Sequence, residues 1–223
     1  MSFNIAIDGP AGAGKSTIAK LVAKQLGFIY VDTGAMYRAI ALHLLKHGIT
    51  ADDEEKIRAA CGQIRIAIAY ENGEQQVLLN GENVTGQLRT EEVGNMASAS
   101  SGNPDVRAAL LQLQREMAAT SDVVMDGRDS GTHVLPDAQL KIYLTASTAT
   151  RAKRRFLELQ QKGDSCSLDE IERDIARRDH QDMTRKIAPL KQAKDAVLVD
   201  SSEMTINQVA DSIISHYREV KQE

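Results

Sequence analysis

Apolar positions open the chain as a short run over residues 3–7, break at a glycine-rich turn, and resume at Ile18, Leu21, Val22 and Leu26, the spacing of one helix face. Gly27 stops that helix, and Phe28-Ile29-Tyr30-Val31 follows as a second strand. Strand, helix, strand is the opening of a βαβ unit, which requires a parallel sheet covered by helices on both faces. Apolar runs at 122–125, 140–144 and 196–199 read as buried strands and bring the predicted parallel strands to five. Ile206, Val209, Ile213 and Ile214 predict a closing amphipathic helix, with Lys221-Gln222-Glu223 frayed. One stretch breaks the rhythm. Residues 64–70 alternate, Asn72-Gly73 is a hairpin turn, and Val77-Leu78-Leu79 with Asn80-Gly81 adds a strand and turn. The expectation is a three-layer α/β/α core with a five-stranded parallel sheet and a small antiparallel-sheet insert at about residues 63–95.

Composition narrows the class. With 223 residues and 42% apolar content the chain can bury the core of one domain with excursions. It carries no apolar stretch of about 18 residues, and its first residues lack a basic start, a long apolar middle and a small-residue cleavage site, so a cytoplasmic protein with no membrane partner is expected. Cys61 and Cys166 stand far apart and outside any metal-ligand spacing, which gives neither a disulfide framework nor a zinc site support. Asn83-Val84-Thr85 fits a glycosylation pattern that matters only in a secreted chain. A net charge of -4 argues against a nucleic-acid partner, yet residues 151–194 carry 12 Lys and Arg against 8 Asp and Glu. That local excess suits an anionic ligand.

Gly9-Pro10-Ala11-Gly12-Ala13-Gly14-Lys15-Ser16, with Thr17 after it, fits G-x-x-x-x-G-K-[ST] between a strand and a helix. Glycines let successive backbone N–H groups turn inward to phosphate oxygens, and the helix N-terminus adds its positive end. Lys15 would reach the β and γ phosphates of ATP and Ser16 would ligate Mg²⁺. The loop points to nucleoside triphosphate chemistry and leaves the acceptor open.

Three clusters bear on the acceptor. Asp32-Thr33-Gly34-Ala35-Met36-Tyr37-Arg38 ends a strand, where α/β proteins bind ligands. Thr33 and Arg38 would hold a phosphate there, or Thr33 would cap the helix starting near Ala35 and Arg38 would be solvated. Asp126-Gly127-Arg128-Asp129 puts two carboxylates and a guanidinium at a buried strand's end, Asp126 suited to hold Mg²⁺ through water and Arg128 to clamp a phosphate. A turn stabilised by its own ion pair is the alternative. Arg177–Arg185, if helical, sets Arg178, Asp182 and Arg185 near one face, a polyphosphate grip or a solvated salt-bridged helix.

Taken together, GPAGAGKST at 9–17, DTGAMYR at 32–38, LNGENVTGQLRTEEV at 79–93, DGRDSGT at 126–132, PDA at 136–138, RRDHQDMTR at 177–185 and APL at 188–190 resemble the bacterial cytidylate kinase family of nucleoside monophosphate kinases, from Ile5 to about Ser202. The inserted sheet separates that family from adenylate and guanylate kinases. The resemblance implies a single P-loop kinase domain over 1–223, with a core at about 1–35, 105–150 and 187–223, an acceptor-binding part at about 36–104 and a lid at about 150–186. It implies ATP-dependent phosphorylation of CMP and dCMP with Mg²⁺, in a monomer. It also implies that Thr33, Arg38, Arg128 and Arg185 hold the acceptor phosphate with Tyr37 beside it. Ser98, Arg107 and Asp129 would read the cytosine edge, Asp182 the sugar, and Arg178 would be a lid arginine. Catalysis would rest on Lys15, Arg128, Arg178 and Arg185.

A carboxylate, an Arg and a Ser hydroxyl complement the donor and acceptors of cytosine, and uracil would misplace a donor. Phosphoryl transfer to a monophosphate needs no general base, so the five histidines read as surface or packing residues. Ser130 and His133 stand where the family pattern has apolar residues, and a change of packing behind Asp129 is expected. The rivals are a P-loop kinase for UMP, AMP or another metabolite, a GTPase-type switch, which lacks an Asn-Lys-x-Asp sequence here, and a nucleic-acid binder, which 4% aromatic content disfavours.

Overall fold

A computed structural model describes residues 2–161, 163 and 165–222; Lys162 and Asp164 of the expected lid, and Glu223 of the expected frayed end, lie outside the described residues. Along the chain β1 (Asn4–Asp8) leads into α1 (Lys15–Leu26), which ends at Gly27 with φ 71°, a left-handed turn that favours glycine. Next come β2 (Ile29–Asp32), α2 (Thr33–Lys46) and α3 (Glu54–Cys61), the last capped where Asp53 accepts from Lys56 N. The insert is β3 (Ile66–Glu71), β4 (Glu74–Leu79) and the short β5 (Glu82–Asn83). Its sheet ends at Asn83, and the rest of the predicted insert is a helical turn and the start of α4 (Glu91–Ser100). Then α5 (Pro104–Thr120), with Asn103 as cap and proline in its first turn, leads to β6 (Val123–Gly127). After a π-helical turn at Ser130–Val134 come β7 (Leu140–Thr145), α6 (Thr148–Gln161), α7 (Leu168–Thr184), β8 (Val197–Asp200) and α8 (Ile206–Gln222). Helix α8 continues through Lys221 and Gln222 instead of fraying. Lys221 Nζ donates to Tyr217 Oη at 2.8 Å and lies 5.3 Å from that ring, which ties the last turn down.

The large sheet is parallel throughout in the order β2-β6-β1-β7-β8. Side chains alternate between its faces: Ile5, Ile7 and Val124 pack with Ile18, Val22, Val209 and Ile213 of α1 and α8, while Ala6, Val123 and Met125 pack with Met36, Ile40 and Leu110 of α2 and α5. Each fully buried Ile or Leu contributes roughly 1.5–3 kcal/mol, so both faces must stay covered. A third cluster, Ala39, Val77, Leu79, Leu88 and Val93, fastens the small sheet and α4 to α2. The expected α/β/α core with its antiparallel insert is therefore present, and β1, β2 and β6 all end at the same edge of the sheet.

Candidate active site

At that edge the chain leaves β1 through Gly9, whose added Cβ would lie 1.9 Å from Leu144 O, so only glycine lets β7 approach this closely. Gly12 and Gly14 follow at φ 74° and 84°. Gly14, the residue before α1, offers no capping side chain, which leaves the first N–H groups of the helix to face a ligand. Pro10 and Ala13 are buried in the loop, Ala11 is half-buried, and Thr17 is exposed beyond it. Lys15 is buried, and its ammonium donates to Pro10 O at 2.7 Å. Burial, then the nearby Arg128 guanidinium, pushes its pKa down to about 7 against the pull of Asp126, Asp182 and Asp8. Added phosphate charge would favour the ammonium.

Ser16 Oγ donates to Asp126 Oδ2 at 2.8 Å and Tyr30 Oη to Asp126 Oδ1 at 3.1 Å. A hydroxyl and a carboxylate held together are hard oxygen donors of the kind Mg²⁺ takes. Burial and Asp32 raise the Asp126 pKa to about 6, against Lys15, so added positive charge would stabilise its ionised form. One residue position before the loop, Asp8 accepts from Ser130 N at 2.8 Å and Gly131 N at 2.7 Å, tying the Arg128–Asp129 segment to β1.

Across the edge the acceptor-side expectations meet in one network. Asp32, not Thr33, caps α2, accepting from Ala35 N at 2.8 Å; Thr33 Oγ1 instead donates to Asp126 O at 2.7 Å. The helix begins at Thr33 because Asp32 is the last extended residue and its carboxylate reaches the N3 amide. Arg38 is not a free solvated residue, since it pairs with Asp32 at 3.1 Å, with Arg89 3.8 Å from the same carboxylate. Arg128 Nε donates to Asp182 at 2.8 Å. Burial opposes the charge of Arg128, but Asp182, Asp126 and Asp179 outweigh it and raise its pKa. Asp129 bonds Arg107 through one oxygen and Arg185 at 3.0 Å through the other. Tyr37 lies beside them, its ring centroid 5.7 Å from the Arg107 guanidinium carbon. Burial and the like charge of Arg107 lower the Arg185 pKa, against Asp129. Arg107, Arg128 and Arg185 are thus held together by Asp129 and Asp182, and guanidinium groups so placed suit an anionic ligand.

The expected common face of Arg178, Asp182 and Arg185 is only partly formed. Asp182 and Arg185 approach to 3.7 Å, whereas Arg178 turns to Asn95 Oδ1 at 2.5 Å and Asp174 at 3.0 Å. The Ser98 hydroxyl donates to Gln181 Oε1 at 3.2 Å rather than joining the Arg107–Asp129 pair, and Arg185 donates to Ser101 Oγ at 3.2 Å. Residues 95, 98 and 101 of α4 and its cap therefore meet 178, 181 and 185 of α7 and its cap, each three or four positions apart, as one helix face on another.

Sequence reasoning missed Arg151 and Asp179. Arg151 donates to Ala11 O at 2.8 Å and pairs with Asp179 at 2.7 Å, and Asp179 accepts from Ala11 N at 3.3 Å, so α6 and α7 clasp the crest of the phosphate loop. A signal existed only for Asp179, which lies inside the RRDHQDMTR run. Of the two departures from the family pattern, His133 is exposed, but Ser130 is only 1% exposed. Its hydroxyl has no hydrogen-bond partner of good geometry, though it lies near enough to Asp8 to favour the ionised carboxyl slightly. The histidines are peripheral: His43 and His47 stack at 4.0 Å on α2, and His216 pairs with Glu219. Burial pushes the Cys61 thiol up to about 11. No helix among the described residues is long and apolar enough to cross a membrane.

A family model described as "Cytidylate kinase" matches residues 5–219. The chain is 50% identical over 99% of its length to a cytidylate kinase of Caldicellulosiruptor bescii, covering 98% of that protein. It is 49% identical over 98% of its length to a cytidylate kinase of Desulfitobacterium hafniense, covering 94% of that protein. A gluconokinase structure from Sinorhizobium meliloti 1021 superposes with a TM-score of 0.51 at 12% identity, covering 99% of this chain and 94% of that one, a likeness of fold alone.

Proposed function

The chain belongs to the cytidylate kinase family, and from that premise we propose how its residues carry out ATP-dependent phosphorylation of CMP and dCMP to CDP and dCDP. An oxygen of the acceptor phosphate attacks the γ-phosphorus in line; its bond to phosphorus forms as the bond to the β–γ bridging oxygen breaks, and ADP leaves with that electron pair. The attacking oxygen is already anionic, so the obstacle is bringing two anions together rather than removing a proton. Residues 9–17 cradle the donor phosphates, with Lys15 at the β and γ groups. Ser16, and Asp126 through water, would hold Mg²⁺, which would screen the same oxygens.

Thr33, Arg38, Arg128 and Arg185 take the acceptor phosphate, with Tyr37 packed beside it. Arg107 and Asp129 read the cytosine edge, Asp182 meets the sugar, and Arg178 moves from Asn95 to the transferring group. Ser98 joins the base-reading set when it leaves Gln181. We assign residues of about 36–104 to the acceptor-binding part, about 150–186 to a lid whose closure excludes water, and the remainder to the core. We also place the enzyme in the cytoplasm as a monomer. The observation that supports this division of labour most strongly is the convergence of Lys15, Arg128, Arg107 and Arg185 on Asp126, Asp182 and Asp129 at one sheet edge. Incubation with ATP, CMP and Mg²⁺ is expected to yield ADP and CDP in equal amounts, and none when Mg²⁺ is chelated. ADP without CDP would contradict the acceptor assignment.

A further inference from the structure

Strand β2 lies at the edge of the large sheet, so its outward-facing backbone groups have no strand to pair with. Ile29 N bonds Asp122 O on the inner side, and alternation therefore turns Tyr30 and Asp32 outward. Two side chains of the inserted sheet meet those outward groups. Tyr70 Oη donates to Tyr30 O at 2.9 Å. Gln75 is buried, and its amide both accepts from Asp32 N at 2.8 Å and donates to Asp32 O at 3.3 Å, as a neighbouring strand would. Tyr70 and Gln75 are directly opposed across the β3–β4 hairpin, so one rung of the small sheet meets three backbone groups of that edge.

Val77 and Leu79 fasten the hairpin to α2, but its packing beside β2 is incomplete. A cavity of about 210 Å³, lined by Ile29, Ile68, Met117 and Val123 among others, lies between the hairpin and the core. The exposed Lys20–Glu74 pair at 3.8 Å adds little. The two polar side chains therefore supply the hairpin's hydrogen bonds to β2. Gln75 grips Asp32, the cap of α2 and the partner of Arg38, immediately before Thr33.

We propose that Gln75, assisted by Tyr70, is a positioning residue for the acceptor site: by holding the Asp32 backbone it fixes Thr33 and Arg38, and this is the task of the inserted sheet. The inference rests on the reading of Thr33 and Arg38 as acceptor-phosphate ligands. Gln75→Leu keeps bulk but leaves both Asp32 groups unpaired, and the KM for CMP is expected to rise on the order of tenfold while kcat and the KM for ATP stay within about twofold. Tyr70→Phe, which removes only the hydroxyl, is expected to move the KM for CMP in the same direction by less. Amide exchange at Asp32, followed in the absence of substrate, is expected to accelerate in Gln75→Leu. An unchanged KM for CMP with a lowered melting temperature overturns the proposal in favour of a purely structural strut, and equal rises in both KM values overturn it in favour of a general loosening. If the unsubstituted enzyme fails to turn over CMP, the acceptor reading falls and takes the catalytic half of the proposal with it. Exchange at Asp32 unchanged by the substitution refutes the strut itself.

Discussion

Replacing Arg128 by alanine separates the catalytic task proposed for it from a structural one. Its Nε donates to Asp182 at 2.8 Å, and Asp182 is only 6% exposed, so the substitution leaves a buried carboxylate short of a donor. Leaving such a group unpaired costs about 1–3 kcal/mol. The lower end applies, because Arg185 remains 3.7 Å from the other oxygen. For a chain of this size that is a fall of roughly 2–5 °C in melting temperature. With Arg128 clamping the acceptor phosphate as proposed, loss of that preorganised cationic donor is expected to cost about a hundred- to a thousandfold in kcat.

The two effects are read separately, by a coupled assay for ADP at saturating ATP and CMP and by thermal unfolding. Pairing Arg128→Ala with Asp182→Asn is expected to restore part of the stability and none of the rate. Near-normal kcat in Arg128→Ala with only the melting shift would refute the reasoning and leave Arg128 as a counter-ion of Asp182.

Asp129→Asn is expected to destabilise the fold by about 3–5 kcal/mol, because Arg107 and Arg185 lose their shared buried carboxylate, and to narrow the preference for CMP over UMP; denaturant unfolding and acceptor kinetics check both. Arg151→Ala frees Ala11 from α6 and should raise the KM for ATP severalfold with little change in that for CMP, in steady-state kinetics. Asp8 supplies a pH test: burial raises its pKa from 3.8 to about 6, against the Gly131 and Ser130 amides, so the folded state holds the proton more tightly than the unfolded chain. Stability from this group is full below about pH 4, declines by up to about 3 kcal/mol as pH rises to 6, and stays lost above it. Asp8→Asn should flatten that slope in unfolding measured from pH 4 to 7, and an unchanged slope would contradict the assignment.

What the sequence made legible was local. Predominantly apolar runs marked the parallel strands, alternation with Asn72-Gly73 marked the hairpin, and the phosphate loop carried both its pattern and its flanking elements. Arg107, Arg128, Asp129, Asp182 and Arg185, placed by resemblance, do gather at one sheet edge. What stayed hidden depends on contacts between distant segments. Whether Asp32 or Thr33 caps α2 turned on where the strand ends, one residue beyond what a pattern resolves. Ser98 bonds Gln181, 83 positions away, and Arg151 reaches Ala11 across 140, so neither partner could be read from spacing. Gln75, between the Asn72-Gly73 turn and the apolar run at 77–79, carried no signal until the fold laid it against the edge of β2.

The central claim is that this site phosphorylates cytidine monophosphates in preference to other acceptors, and kcat/KM for CMP, dCMP, UMP, AMP and GMP with ATP and Mg²⁺ tests it most directly. CMP and dCMP are predicted to exceed UMP by about ten- to a hundredfold, the worth of one buried polar group left unpaired against the wrong base edge, and to exceed the purine monophosphates by more. Equal rates with UMP, or a preference for AMP or GMP, would contradict it.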